Sequence, residues 1–142
     1  MTQLNPTLSF NGNAEEAFNF YKSVFGGEFS SPMRWKDNPH CQGWSEADKN
    51  LIMHVALPVS GGNVLMASDA PSEFGKKLVE GNNFYIAIIP DTKNEADRLF
   101  NGLSSGGKAE MPMQDMFWGA YYGSFTDKFG IQWMINFDND RK

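Results

Sequence analysis

NAEEAFNFYKSVFGG, residues 13–27, and TKNEADRLFNGLSSGG, residues 92–107, follow one plan. In the first, Ala14, Ala17, Phe18, Tyr21, Val24 and Phe25 keep the i, i+3, i+4, i+7 spacing of a single helical face. Asn13 stands where an N-cap belongs, Glu16 completes a capping-box pattern, and Gly26-Gly27 ends the helix. In the second, Thr92 and Glu95 form the same capping pair, Ala96, Leu99, Phe100 and Leu103 repeat the stripe, and Gly106-Gly107 closes it. Matching Glu16-Ala17 to Glu95-Ala96 brings the two glycine pairs together with one residue inserted. The chain reads as an internal duplication.

Strands can be placed around both helices. Thr7–Phe10 precedes the first and Phe84–Ile89 the second. Three more are expected after each: Glu28–Trp35, Leu51–Val59 and Asn63–Ser68, then Lys108–Met113, Ala120–Thr126 and Ile131–Phe137. Leu51, Met53, Val55 and Leu57 alternate with Ile52, His54 and Ala56, the period of a strand. Ser60-Gly61-Gly62 and Asp127-Lys128-Phe129-Gly130 fall where hairpin turns belong. Asp69–Gly81 reads as a linker, with a short helix near Ser72–Leu78. The expected fold is α+β: two tandem βαβββ modules forming a curved mixed sheet with a concave cup on the side away from the helices. One domain is expected over 1–142, with module 1 about 4–69, a linker 70–82 and module 2 about 83–138.

The bulk properties narrow the function. Of 142 residues, 41% are hydrophobic, and twelve Phe, eight Met and four Trp favour a bulky core or an aromatic-lined cavity. A net charge of −5 without any basic run argues against nucleic acid and anionic membranes as partners. Cys41 is the only cysteine, so no intrachain disulfide forms. No signal peptide or membrane span is read, and a soluble cytoplasmic protein is expected.

Three stretches resemble the PhnB-like branch of the vicinal oxygen chelate superfamily, the group of glyoxalase I, extradiol dioxygenases and bleomycin- and fosfomycin-resistance proteins. They are FNGNAEEAFNFYKSVFGGEF (10–29), LMASDAP (65–71) and DMFWGAYYGSFTDKFGIQW (115–133). In the last, Trp118-Gly119, Gly123, Asp127, Gly130 and Trp133 carry the likeness. The resemblance implies the paired-module fold, a homodimer and, in metal-dependent members, one ligand from the first and last strand of each module. Those positions fall near Pro6 and Tyr85, and at Met66 and Met134, within the parallel stretches GNVLMAS (62–68) and GIQWMIN (130–136). Proline offers no side-chain donor, neutral tyrosine is a poor one, and thioethers are too soft for hard divalent ions. The expectation is therefore a metal-free protein with no cofactor, binding a small, partly apolar molecule in the cup. The alternatives are a divalent-metal-dependent lyase or dioxygenase with relocated ligands, and a non-catalytic homodimeric interaction protein.

Candidate ligand-binding residues are Met66, Tyr85, Trp118, Tyr122 and Met134; the two methionines equally suit core filling. Trp133 is expected to point to the helix side, since Met134 then faces the cup. Catalytic candidates are His54 as a general base or polar anchor, Asp69 at the cup rim or as a cap, and Asp115 beside Trp118. His40-Cys41 reads as a surface loop, and no metal ligand set is assigned. Asp127 and Gly130 are needed for a turn. A ubiquinone-pathway methyltransferase would call for a glycine-rich strand-to-helix turn, whereas Phe10-Asn11-Gly12-Asn13 has one glycine.

Overall fold

A computed structural model describes residues 2–30, 32–59, 62–74 and 78–139. It divides into two units, Met1–Val79 and Glu80–Lys142.

The first unit runs β1 (Thr7–Phe10), α1 (Ala14–Phe25), β2 (Met33–Arg34), α2 (Glu46–Lys49), β3 (Ile52–Pro58) and β4 (Val64–Asp69). Its sheet has the order β1-β4-β3-β2, with β1 and β4 parallel and the other pairs antiparallel. The second runs β5 (Ile86–Ile88), α3 (Lys93–Ser104), β6 (Lys108–Asp115), β7 (Ala120–Thr126) and β8 (Gln132–Asp138), in the order β5-β8-β7-β6. Each unit is thus βαβββ with a four-stranded mixed sheet, and the fold is α+β.

Burial follows the helical stripes read from the sequence. Ala14, Ala17, Phe18, Tyr21 and Val24 are buried along α1, and Ala96, Leu99, Phe100 and Leu103 along α3. In the first unit Leu8, Phe10, Val55, Leu57, Leu65 and Ala67 supply the strand side of that core. In the second, Phe125 meets Phe100 edge-on at 5.1 Å between centroids, which fixes the helix side of the sheet. Trp133 pairs with Phe125 in register, so it lies on that side and is buried as expected. Packing leaves no room for a side chain at Gly123: a Cβ there would lie 3.0 Å from Phe100.

The helix starts differ from each other. Thr92 caps α3, its hydroxyl accepting from Glu95 N–H at 3.0 Å. Asn13 makes no such bond. The Asp69 carboxylate does this work from the far end of β4, accepting from Gly12 N–H at 3.1 Å and Ala14 N–H at 2.9 Å. Its other oxygen accepts from Ile52 N–H at 2.9 Å, so one buried side chain ties α1, β3 and β4 together. A carboxylate satisfies the first helical N–H and the one ahead of the N-cap at once and complements the helix dipole, which a neutral Asn13 amide does less well.

The expected strand Glu28–Trp35 is shorter than read. Only Met33–Arg34 pairs with β3, and 3₁₀ turns follow at Trp35–Asp37 and Pro39–Cys41. The short helix Glu46–Lys49 after them was not foreseen. The turns bury Cys41, at 2% exposure, rather than leaving it on a surface loop. Past β4, Ser72–Phe74 forms a single 3₁₀ turn, held by Ser72 Oγ donating to Asp48 at 2.6 Å. The remainder of the helix expected near Ser72–Leu78 includes residues 75–77, and the turn at Ser60-Gly61 likewise lies outside the described residues. Asp127 makes its turn as read. Its Oδ1 accepts from Phe129 and Ile131 N–H, its Oδ2 accepts from Trp133 Nε1 at 2.9 Å, and Gly130 takes φ 89°.

Candidate functional site

Strand register decides which side chains share the face opposite the helix. In the second unit β8 is central: Met134 pairs with Ala87 of β5 on one side and Ser124 of β7 on the other, and Ser124 pairs with Met111 of β6. One row across the open face is therefore Ala87, Met134, Ser124 and Met111. A second row holds Gln132, Thr126 and Lys108, and a third Asn136, Tyr122 and Gln114. Trp118, in the β6–β7 turn, packs against Tyr122 at 6.1 Å between centroids and stays 56% exposed. Tyr85 precedes β5 and reaches over the face, its hydroxyl donating to Glu110 Oε2 at 2.7 Å. The structure thus brings Tyr85, Trp118, Tyr122 and Met134 to one face of one sheet.

That face is curved. Tyr85 stands at the β5 edge and Glu110 on the opposite edge strand, three strand spacings away, or about 14 Å in a flat sheet. Side chains leaving a flat sheet stand roughly perpendicular to it and would not converge. Their direct hydrogen bond requires the edges to curl toward each other over the row of Gln132 and Thr126. Glu110 also accepts from Thr126 Oγ1 at 2.9 Å. The bond to Glu110, then burial, raises the Tyr85 phenol above its ordinary pKa. Sequence reading missed Glu110 and Thr126. The available signal was Pro112, which inside a strand marks an edge or a bulge.

In the first unit the same construction places Met66 opposite Thr7 of β1 and Ala56 of β3. His54, two residues from Ala56, shares that face and is half-buried. Asp69 lies on the other parity, two residues from Ala67, with both carboxylate oxygens taken by backbone N–H groups. Asp115 is exposed at the end of β6 and accepts from Lys93 Nζ and Asn139 Nδ2, each at 3.0 Å. Lys93 first, then Asn139, holds its carboxyl below the usual range. Next to it Tyr121 donates to Asp97 at 2.6 Å, and that bond, with burial, pushes its phenol up to about 12. His54, Asp69 and Asp115 are not grouped: they occupy an open face, a helix-side core and an exposed strand end.

The register sets the first-strand neighbours of the two methionines. Thr7, not Pro6, stands opposite Met66, and Ala87, not Tyr85, stands opposite Met134. Pro6 instead accepts the Met66 N–H through its carbonyl. A hydroxyl, a methyl and two thioethers do not make a donor set for a hard divalent ion. Among the described residues no three His, Cys, Asp or Glu side chains are grouped as a metal would need.

A model of the glyoxalase/bleomycin resistance protein/dioxygenase superfamily matches residues 3–135. The chain belongs to this superfamily. Protein YjdN of Escherichia coli is 31% identical over 94% of this chain and 93% of that protein. The crystal structure of protein PA1353 from Pseudomonas aeruginosa is 39% identical, covers 97% of this chain and 98% of that one, and superposes with a TM-score of 0.84. A Bacillus cereus structure named a putative 3-demethylubiquinone-9 3-methyltransferase, PhnB protein, superposes at 0.74 with 24% identity, over 96% and 99% of the two chains. At that identity the likeness is one of fold. It nonetheless sets this member of the superfamily beside PhnB-like neighbours, as the motifs around Trp118 and Trp133 led us to expect.

Proposed function

We propose that this chain binds a small, partly apolar molecule on the curved face of the second unit, without a fixed metal ion. The observation that carries the reading is the company around Met134: Tyr85, Tyr122 and Trp118 border a floor of Ala87, Met134 and Ser124. Aromatic walls with a few polar tips suit a flat or conjugated ligand, and a thioether floor adapts to its outline. Met66 holds the equivalent place in the first unit's sheet and is proposed to serve the same ligand class.

Titration of the intact protein with small aromatic compounds, followed by tryptophan fluorescence, tests this. Trp118→Ala and Met134→Lys should each weaken binding about ten-fold or more, the former by removing a stacking wall and the latter by charging an apolar floor. Equal affinity in both variants would refute the site. In parallel, divalent ions should leave the melting temperature unchanged; a rise on adding one of them would favour a metal-dependent lyase or dioxygenase with relocated ligands.

The methyltransferase activity in the B. cereus protein's name gains no support from the β1–α1 turn. Gly12 is its only glycine, and the N–H groups of Gly12 and Ala14 are already taken by Asp69. A homodimer is part of the proposal. Phe117, at 98% exposure, with Ile89 and Phe84 nearby in sequence terms to the curved face, leaves apolar surface that a second copy would cover. Light scattering tests it, and a monomer at micromolar concentration would count against it. A cytoplasmic setting is proposed for a chain whose single cysteine is a free, buried thiol; no described helix is long and apolar enough to cross a membrane.

A further inference from the structure

We propose that Glu110 is the polar recognition group of the curved face, and that the ligand is an amine or other organic cation with an apolar body. This rests on the ligand reading above and names its chemical class.

The strand geometry puts Glu110 there. Ala109 pairs with Phe125 and Met111 with Ser124, so two neighbouring residues of β7 face three of β6. Glu110 is the extra residue of a β-bulge. A bulge breaks the strict alternation of a strand and re-aims one side chain, and such breaks are frequent next to binding sites. Glu110, two residues on from Lys108, keeps the open face by ordinary alternation, and the bulge brings Met111 onto the same face opposite Ser124; Tyr85 and Thr126 fix the two Glu110 oxygens there at 2.7 and 2.9 Å.

The charge balance selects the ligand class. A carboxylate offers about four acceptor positions, and the two hydroxyls occupy two of them. Both partners are neutral donors. Among the described residues no Lys or Arg pairs with Glu110, although Lys108 lies two residues before it on the same strand. The carboxylate therefore stands at the Tyr85 ring's hydroxyl end with acceptor capacity to spare. Aromatic faces attract cations and carry no preference for anions, so both features favour the same ligand charge.

The test compares three probes of one shape: 2-phenylethylamine, benzyl methyl ether and 3-phenylpropionate. Calorimetry on the intact protein at 0.15 M salt reads each affinity. The amine should bind about ten-fold or more tightly than the ether, with the carboxylate weakest. Glu110→Gln should bring the amine to the level of the ether and leave the ether unchanged. Tyr85→Phe should reduce the amine's advantage in part. Glu28→Gln, an exposed carboxylate of the first unit, controls for general attraction by the net negative charge and should change neither affinity. Equal binding of amine and ether, or an amine preference that survives Glu110→Gln, overturns the inference while the apolar face stands. Failure of all three probes removes the face as a ligand site, and the inference with it.

Discussion

Replacing Asp69 with alanine should be among the most damaging single changes in the first unit. The carboxylate is 2% exposed and accepts three backbone N–H groups, from Gly12, Ala14 and Ile52. The bonds to Ala14 and Ile52 are fully buried; the one to Gly12 is partly so. Alanine leaves all three donors without their acceptor. A buried donor left unpaired costs about 1–3 kcal/mol, and water can reach the Gly12 side most readily. Two buried donors and one partly buried donor then cost about 3–5 kcal/mol, a large part of the roughly 5–15 kcal/mol that holds a domain folded. Asparagine is the informative companion. Its one carbonyl oxygen can keep Gly12 and Ala14, but its amide then points N–H against Ile52 N–H. That loses one bond and adds a repulsion, about 2 kcal/mol. Urea denaturation with a shared m-value reads both numbers, and the melting temperature should fall by about 10 °C or more in the alanine variant. An alanine variant within about 0.5 kcal/mol of the parent would show that the N–H groups find other partners, and the bracing role would be refuted.

Four further outcomes are expected. Thr92→Ala should cost about 1 kcal/mol by unfolding, whereas Asn13→Ala should cost much less, because only the threonine makes a capping bond; equal losses would contradict this. Gly107→Ala should destabilise by about 3 kcal/mol, since a Cβ there meets the Thr126 carbonyl and lies 2.8 Å from Asp127 Cα, backbone that cannot swing aside; a neutral change would refute the packing. Tyr121 should be among the last tyrosines to ionise in a titration followed at 295 nm, near pH 12, and Tyr121→Phe should remove that component. Its folded pKa lies above the unfolded value of about 10, so the stability it contributes is complete below pH 10 and is lost as pH rises through 12. Asp48 runs the opposite way. The Ser72 hydroxyl holds its carboxyl below the usual range, so its contribution is present above the unfolded pKa and lost as pH falls through the folded one. Asp48→Asn should flatten the acid limb of the stability profile, and an unchanged limb would refute the assignment.

The duplicated plan, the two apolar helical stripes and the Asp127–Gly130 turn were legible in the sequence because each is a local pattern. Periodicity over a dozen residues fixes a helical face, and an Asp with a Gly three residues on fixes a turn. The inward placement of Trp133 followed from strand alternation once the resemblance set Met134 toward the cup. The curtailed strand at Met33–Arg34 was not legible. Its flanks fold into 3₁₀ turns whose anchors, Leu51 O for Trp35 N–H and Asp69 O for Trp35 Nε1, lie far along the chain.

The sequence by itself determined that this protein is a pair of βαβββ modules whose last strands carry Met66 and Met134 at matching places. Tertiary structure alone decided that Asp69 caps a helix 55 residues before it, that Thr7 and Ala87 stand opposite the methionines, and that Tyr85 and Thr126 hold Glu110 over the curved face. Local patterns follow from neighbours a few residues apart. Register, capping from a distance and a hydrogen bond between the two edge strands depend on which strands meet and with what offset, and that offset is fixed only when the sheet forms and its core closes.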